Sequence, residues 1–434
     1  MQGRLNIFQE TMLHWNDLHP YNAVHVVRIP GVPDKDRLAT VVNQTLDALG
    51  LAQLRIDREG GCFSYERTVS PIEIKIVPTG ADCRLALAEE IASQLNLRFE
   101  WEKTFCPFRF FVVPEVGAFF FGLVYFHAAA DAEPVVFLLK RLAESYAGKA
   151  SGTNLPVSSA ALDRYPPRRD NLLLRRPGLF FRKLVALPAH IRNLRRTARL
   201  RYADANDTQI GFALFALSRQ ELDGLVQTAK RWEVTVNDLL LALLFKVLMP
   251  FTSFRKPGSK RSALSVGCIV NARADAGLSG DDFFGLFLGS FVVTHSAPEG
   301  IGLRELAVDI RTQTAHIKRH KLYLGASMEM AFARRILSFY STERRRKLYQ
   351  KNYPLWGGVT NMNLNSLWTQ SDGAWDYFRA VSTGPVTPLV LSVTTAGDHA
   401  NVGLSYRSTV FSATDVERIK GDLLTSISEM EKQA

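Results

Sequence analysis

Residues Tyr125 to Ala132 read YFHAAADA: an apolar run delivers a histidine, His127, and an aspartate, Asp131, follows four residues later. An imidazole with an unperturbed pKa of about 6.5 takes a proton from a hydroxyl, amine or thiol near neutral pH. The end of a strand suits such a group, because the backbone there is rigid and the side chain can face a cleft. Spacing alone does not assign the role, since a histidine after an apolar strand is more often a hydrogen-bonded core residue.

Two further polar positions stand beside strand-like runs. Leu264 to Val270 leads into Asn271-Ala272-Arg273, and taken alone Arg273 reads as a solvated arginine near a turn. Asn361 follows the Gly357-Gly358 pair, where local backbone capping in a turn is one account. The four cysteines, Cys62, Cys83, Cys106 and Cys268, lie far apart with no Cys-x-x-Cys pair. Such spacing suits reduced thiols better than a disulfide framework or a zinc site, so no metal is expected. There is no Gly-x-Ser-x-Gly, P-loop, Gly-x-Gly-x-x-Gly or His-Glu-x-x-His pattern. Serine-hydrolase, nucleotide-phosphate, dinucleotide and zincin chemistry thus lack their signals, and no covalently bound cofactor is expected.

The elements that must position these residues mix strands and helices. Asn22 to Arg28 alternates as a strand, and Lys35 to Leu49 has helical periodicity after a turn at Pro30 to Asp34. Leu85 to Leu95 is a second helical pattern, and Phe105 to Phe126 gives two β-rich runs around Pro114 to Gly117, a hairpin signal that ends at His127. Pro134 to Tyr146 is helical, and Gly148 to Ser159 is rich in Gly, Ser, Thr and Pro, as where a lobe ends. Phe212 to Leu217 reads as a strand, Ser218 to Trp232 as a helix capped by Ser218 with Glu221, and Thr235 to Leu248 as a buried helix. Leu264 to Val270, Val386 to Thr395 and Asn401 to Arg407 read as strands, and Ser412 to Met430 as a closing amphipathic helix. At 434 residues the chain exceeds one ordinary core, which stops growing at roughly 250 to 300 residues. The expected division is a lobe over 1–160 carrying His127 and Asp131, a basic crossover over 161–208, and a second lobe over 209–434.

The chain has 53 Lys and Arg against 42 Asp and Glu, a net charge of +11. Arg164 to Arg201 holds 12 of those basic residues and one acid, so the excess is local. Met1 to Trp15 never reaches the roughly 7 to 15 apolar residues of a signal-peptide core, and no run reaches the roughly 20 of a spanning helix. Cytoplasm is the expected compartment. Gly178 to Leu200 mixes bulky apolar residues with Arg and Lys as an interfacial segment does, with Pro188 expected to break or kink it. An anionic membrane surface met through 175–201, on the inner face of the membrane, is one account, each nearby basic group contributing about 1 kcal/mol. A solvated crossover packed on the lobes is the other. A second basic cluster, Arg334, Arg335, Arg344 to Arg346, Lys347 and Lys351, suits coenzyme A phosphates or an acidic carrier protein, although exposed helical charge is the plainer account. Neither basic region carries a nucleic-acid module.

The octet at 125–132 resembles the motif His-His-x-x-x-Asp-Gly of the superfamily of condensation domains and chloramphenicol acetyltransferase-like, CoA-dependent acyltransferases, to which wax ester synthase and alcohol acyltransferase-type proteins are related. His127 matches the second histidine and Asp131 the aspartate, whereas Phe126 stands in place of the first histidine and Ala132 in place of the glycine, whose backbone freedom is lost. Glu233 to Leu248 resembles the family's "gvTvnDlllaa" helix at Thr235, Asn237 and Asp238, with Thr235 or Asn237 as its cap. Gly358 to Asn363 resembles its "vSNvg" stretch, and Leu391 to Phe411 its last strands. The resemblance implies an α/β fold of two similar lobes in pseudo-symmetric contact around a tunnel. It implies His127 as general base, Asp131 held structurally by Arg273, and Asn361 as a tunnel residue. It further implies transfer of an acyl group from acyl-CoA or a phosphopantetheinyl acyl carrier protein to a hydroxyl or amine acceptor, as in lipid, glycolipid or secondary-metabolite biosynthesis. An inactive condensation-like module that binds a lipid, carrier protein or partner enzyme is the alternative.

Overall fold

A computed structural model describes residues 2–66, 71–80, 82–148, 177–252, 260–278, 284–368 and 376–433. The chain forms two compact units: unit 1 is Met1–Asn171, Asn271–Leu288 and Leu364–Ser382, and unit 2 is Leu172–Val270, Gly289–Asn363 and Thr383–Ala434. Both are discontinuous, whereas the sequence pattern groups 1–160 and 209–434 as unbroken lobes. Asn271–Leu288 and Leu364–Ser382 join unit 1 through long-range strand pairing and an ion pair, which leave no local periodicity to read. Of the expected crossover, 161–176 lies outside the described residues, and Pro177–Arg196 is a helix within unit 2.

The strands are β1 Gln2–Arg4, β2 Asn22–Pro30, β3 Gln53–Asp57, β4 Cys62–Glu66, β5 Ile74–Ile76, β6 Phe108–Glu115, β7 Ala118–Phe126, β8 Ile210–Leu217, β9 Leu264–Asn271, β10 Leu288–His295, β11 Gly357–Asn363, β12 Tyr377–Val381, β13 Leu389–Ala396 and β14 His399–Arg407. The helices are α1 Ile7–Leu18, α2 Lys35–Ala48, α3 Cys83–Asn96, α4 Ala132–Tyr146, α5 Pro177–Arg196, α6 Arg219–Arg231, α7 Val236–Leu248, α8 Arg273–Ala276, α9 Leu303–Arg319, α10 Ala326–Leu337, α11 Thr342–Asn352 and α12 Ala413–Gln433.

Unit 1 is built on a sheet of order β12-β2-β7-β6-β5, with a smaller sheet β1-β4-β3. Every residue of β7, AFFFGLVYF, is buried, so the strand is apolar on both faces. The β6–β7 hairpin closes through Val116 and Gly117, and Gly117 takes φ 73°, the left-handed region a glycine enters at no steric cost. Gly122 sits opposite Phe111, and a Cβ there would lie 2.1 Å from the Phe111 ring, so the glycine makes room for a large aromatic in the core. The register sorts the side chains by face. Phe119, Phe121, Leu123 and Tyr125 share one face with His25 of β2 and with Tyr377 and Arg379 of β12. Phe120, Val124 and Phe126 share the other with Phe378. Tyr146 of α4 packs edge-on against Phe119, and Arg84 of α3 lies over Phe378, which sets the two helices on opposite faces.

Unit 2 carries a mixed sheet of order β10-β9-β11-β13-β14-β8, in which β11 runs parallel to β9 and β13 while β14 pairs antiparallel with β13 and β8. Its most buried helix, α7, begins with a reciprocal cap: Asp238 N–H donates to Thr235 Oγ1, and Thr235 N–H donates to Asp238 Oδ2 at 2.9 Å. Asp238 is fully buried and its Oδ1 accepts from Thr314 at 2.6 Å, so Thr235 and Asp238 serve architecture. Asn237 does not cap; it donates to Cys268 Sγ. Helix α5 runs through Pro188 for 20 residues, the proline forgoing a backbone bond without ending the helix. No single helix among the described residues is long and apolar enough to cross a membrane.

Candidate active site

The segment from His127 to Asp131 links β7 to α4, and its backbone is tied down almost residue by residue. His127 N–H donates to Tyr21 O at 3.2 Å, Gln9 Nε2 to Ala128 O at 3.1 Å, Ala129 N–H to Phe126 O at 2.8 Å, and Asp131 N–H to Gly285 O at 3.1 Å. Gln9 belongs to the capping box of α1, whose Asn6 also donates to Leu286 O at 2.7 Å. A short turn with its polar groups paired in this way has few alternative conformations.

The His127 ring is fixed by Nδ1, 3.0 Å from Ala130 O. A carbonyl oxygen only accepts, so Nδ1 carries the hydrogen and Nε2 of the neutral ring carries the lone pair, an assignment that follows from the hydrogen-bond network. Among the described residues Nε2 has no hydrogen-bond partner. Tyr21 stacks on the ring at 5.3 Å and 10°, and Tyr125 meets it edge-on at 5.6 Å. Burial pushes the imidazole below its ordinary pKa, opposed by the Ala130 bond and by the Asp131 charge. The ring is therefore neutral at pH 7 and available as a base.

Asp131 is the N-cap residue of α4, yet its side chain caps nothing in that helix. Its carboxylate turns instead to Arg273, whose Nη2 lies 3.0 Å from both oxygens, and Phe287 N–H donates to Oδ2 at 2.8 Å. Arg273 Nη2 also donates to Gly285 O at 2.8 Å, and the guanidinium lies over the Phe287 ring at 4.9 Å. One nitrogen thus bridges both carboxylate oxygens, rather than two nitrogens gripping them in parallel. Both side chains are buried, Arg273 at 2% exposure and Asp131 at 3%. Arg273 opens α8 and, like Asp131, belongs to unit 1, although its place after β9 reads in the sequence as part of the second lobe. The preceding Asn271 donates to Glu133 in the first turn of α4, a second tie between the same two segments.

Both departures from the motif have a local explanation. Phe126 points to the opposite face from His127, where Phe99 and Phe105 surround it at 5.8 and 5.5 Å, so an apolar ring suits that position. Ala132 is the first residue of α4 and is not among the residues with positive φ, so the position makes no demand for glycine. Asn361, by contrast, is exposed in mid-strand on β11, paired in register with Val393, and lies in unit 2 rather than in a turn.

Sequence reasoning missed a polar group behind His127. His25 Nδ1 is 2.7 Å from Tyr377 Oη, Tyr125 Oη is 3.5 Å from His25 Nε2, and Arg379 stands directly opposite His25 in the β12–β2 register. Arg379 is 3% exposed, and burial lowers its pKa to about 10, which leaves it a cation at pH 7. Burial, the Arg379 charge and His127 together hold His25 well below the ordinary histidine range, hence neutral. The alternating HVV of β2 is a visible strand signal, but nothing local in it announces a partner 352 residues away.

No protein-family profile matches the sequence, and no curated protein matches it either. Solved structures do. The chain superposes over 100% of its length on 98% of the condensation domain from the monacolin K polyketide synthase MokA, with TM-score 0.68 and 11% identity. Over 99% of its length it matches 97% of the first condensation domain of the calcium-dependent antibiotic synthetase in complex with a substrate analogue, with TM-score 0.72 and 13% identity. The EpoB cyclization-docking bidomain from Sorangium cellulosum matches at TM-score 0.68 and 12% identity, over 99% of this chain and 85% of that one. The chain thus has the two-lobed α/β fold of these condensation domains.

Proposed function

We propose that this chain is an acyltransferase in which His127 is the general base. It takes an acyl thioester, carried on coenzyme A or on a phosphopantetheinyl carrier protein, and transfers the acyl group to a hydroxyl or amine acceptor. Nε2 removes the acceptor proton as the nucleophile attacks the thioester carbonyl; the carbon–sulfur bond breaks and the leaving thiolate takes a proton back. No acyl-enzyme forms. Asp131 and Arg273 act as positioning residues, because they hold the turn whose Ala130 carbonyl orients the ring. The fold supports this reading, and so does the Nδ1 bond to Ala130, which carries it: it sets the tautomer that leaves Nε2 basic.

The test is thiol release from octanoyl- and hexadecanoyl-coenzyme A and from acylated carrier protein, with alcohol and amine acceptors. His127→Gln is expected to lower kcat by about 10²- to 10⁴-fold with the fold intact. An unchanged rate in folded variant protein sinks the assignment, and tight donor binding without turnover in the wild type favours an inactive binding module. Because burial depresses the His127 pKa, kcat/KM stays on its plateau below pH 6.5 and declines only at more acid pH.

A further inference from the structure

Among the described residues, fourteen large apolar side chains are exposed, and half of them lie on α5 and in the stretch of α10 and the residues just after it. All three exposed phenylalanines are there, with Phe181 at 63%, Phe332 at 71% and Phe339 at 83% exposure. Scattered exposed apolar residues are ordinary, but these are ordered. Phe332 and Ile336, four residues apart, form one helical stripe with Arg335, and Phe339 follows in the turn just past the end of α10. Phe181, Leu184 and Val185 start a second stripe on α5, which continues past Pro188 to Arg192 and Arg195. The two helices are joined: Lys183 Nζ lies 2.6 Å from Glu329 of α10, and His190 Nε2 lies 3.6 Å from the same carboxylate.

The helices that carry these stripes, and the helix that follows them, are net basic. Helix α5 holds five basic residues and no acid, and the single acid of α10, Glu329, is engaged by Lys183 and His190. In α11 the single acid, Glu343, is paired with Lys347 at 2.7 Å, and Arg344, Arg345, Arg346 and Lys351 make the helix net basic.

From the two ordered stripes and their basic collar we infer that this face of unit 2 docks on an anionic lipid bilayer. An in-plane amphipathic helix is built this way, with Phe and Leu entering the boundary between headgroups and acyl chains while Lys and Arg meet lipid phosphates. An acidic protein would be drawn by the arginines alone, whereas a bilayer also accepts protruding phenylalanines without a matching pocket for each. The inference stands apart from the acyl-transfer proposal, since it uses none of its residues.

Flotation of the purified full chain with vesicles tests it. The wild type is expected to float with equimolar phosphatidylcholine and phosphatidylglycerol, to stay behind with phosphatidylcholine alone, and to lose binding as salt is raised. Phe332→Ser/Phe339→Ser and Arg192→Glu/Arg195→Glu are each expected to reduce partitioning by roughly tenfold or more with unchanged thermal melts. Wild type that ignores the anionic vesicles, binds neutral vesicles equally, or partitions just as well after either double substitution overturns the inference. So does a wild-type dimer in sedimentation that the phenylalanine substitutions dissolve, because the face is then a self-contact.

Discussion

Asp131→Ala isolates the energetic keystone of unit 1. The substitution removes the counter-charge from a guanidinium that is 2% exposed and takes an acceptor from the Phe287 N–H. Breaking a buried ion pair by removing one partner costs about 3–5 kcal/mol, a large share of the roughly 5–15 kcal/mol that holds an ordinary domain together. Arg273→Ala is expected to cost a similar amount by stranding the carboxylate. Asp131→Leu/Arg273→Met replaces both ions with apolar groups and is expected to regain most of the loss, because neither charge is then left alone. Urea unfolding followed by intrinsic fluorescence reads the difference as a shifted midpoint at constant slope. Activity follows geometry: Asp131→Asn loosens the turn that presents the Ala130 carbonyl to His127, so kcat is expected to fall more than KM rises. Single-variant costs below about 1 kcal/mol, or a double-variant cost equal to the sum of the singles, refute the coupling.

Restoring the missing histidine with Phe126→His is expected to destabilise the protein by about 1–3 kcal/mol without raising the rate of thiol release, because the imidazole enters the Phe99 and Phe105 cluster without a partner; a faster enzyme contradicts this. Stability is expected to fall as pH drops below about 6.5, since His25 and His127 are held neutral by burial and the unfolded chain takes up their protons first. Each contributes a slope of about 1.4 kcal/mol per pH unit, fully relieved above the unfolded pKa and continuing down to its own folded pKa. A urea midpoint that stays level from about pH 7.5 to about pH 5 removes that account.

Local patterns made much of the fold legible. Ser218 with Glu221 marks one helix start and Thr235, one of two candidate caps, marks another, and both caps stand in the structure. The β6–β7 hairpin and the placement of His127 just beyond β7 likewise follow from apolar runs and a glycine turn. What the sequence hid was long-range. Strand β12 follows Thr369 to Trp375, a run of no clear period in the sequence, and pairs with a strand some 350 positions earlier, so Tyr377 and Arg379 carry no sign of their place beside His25. Arg273 was visible only by resemblance, and its membership of unit 1 depends on a carboxylate 142 residues before it. Asn361 shows the converse, since Gly-Gly ahead of it suggests a turn but parallel neighbours on both sides of β11 make a strand.

The position of β12 has a consequence for biosynthesis. It covers the flank of β2, pairing Val27 through Ala23 with Tyr377 through Val381. A ribosome must therefore deliver the first 381 of these 434 residues before the first sheet can be closed, and until then β2 presents a bare edge of backbone donors and acceptors. Cutting the gene at the apparent lobe boundary would make that exposure permanent, so the N-terminal half expressed by itself is expected to aggregate rather than yield a separable catalytic fragment.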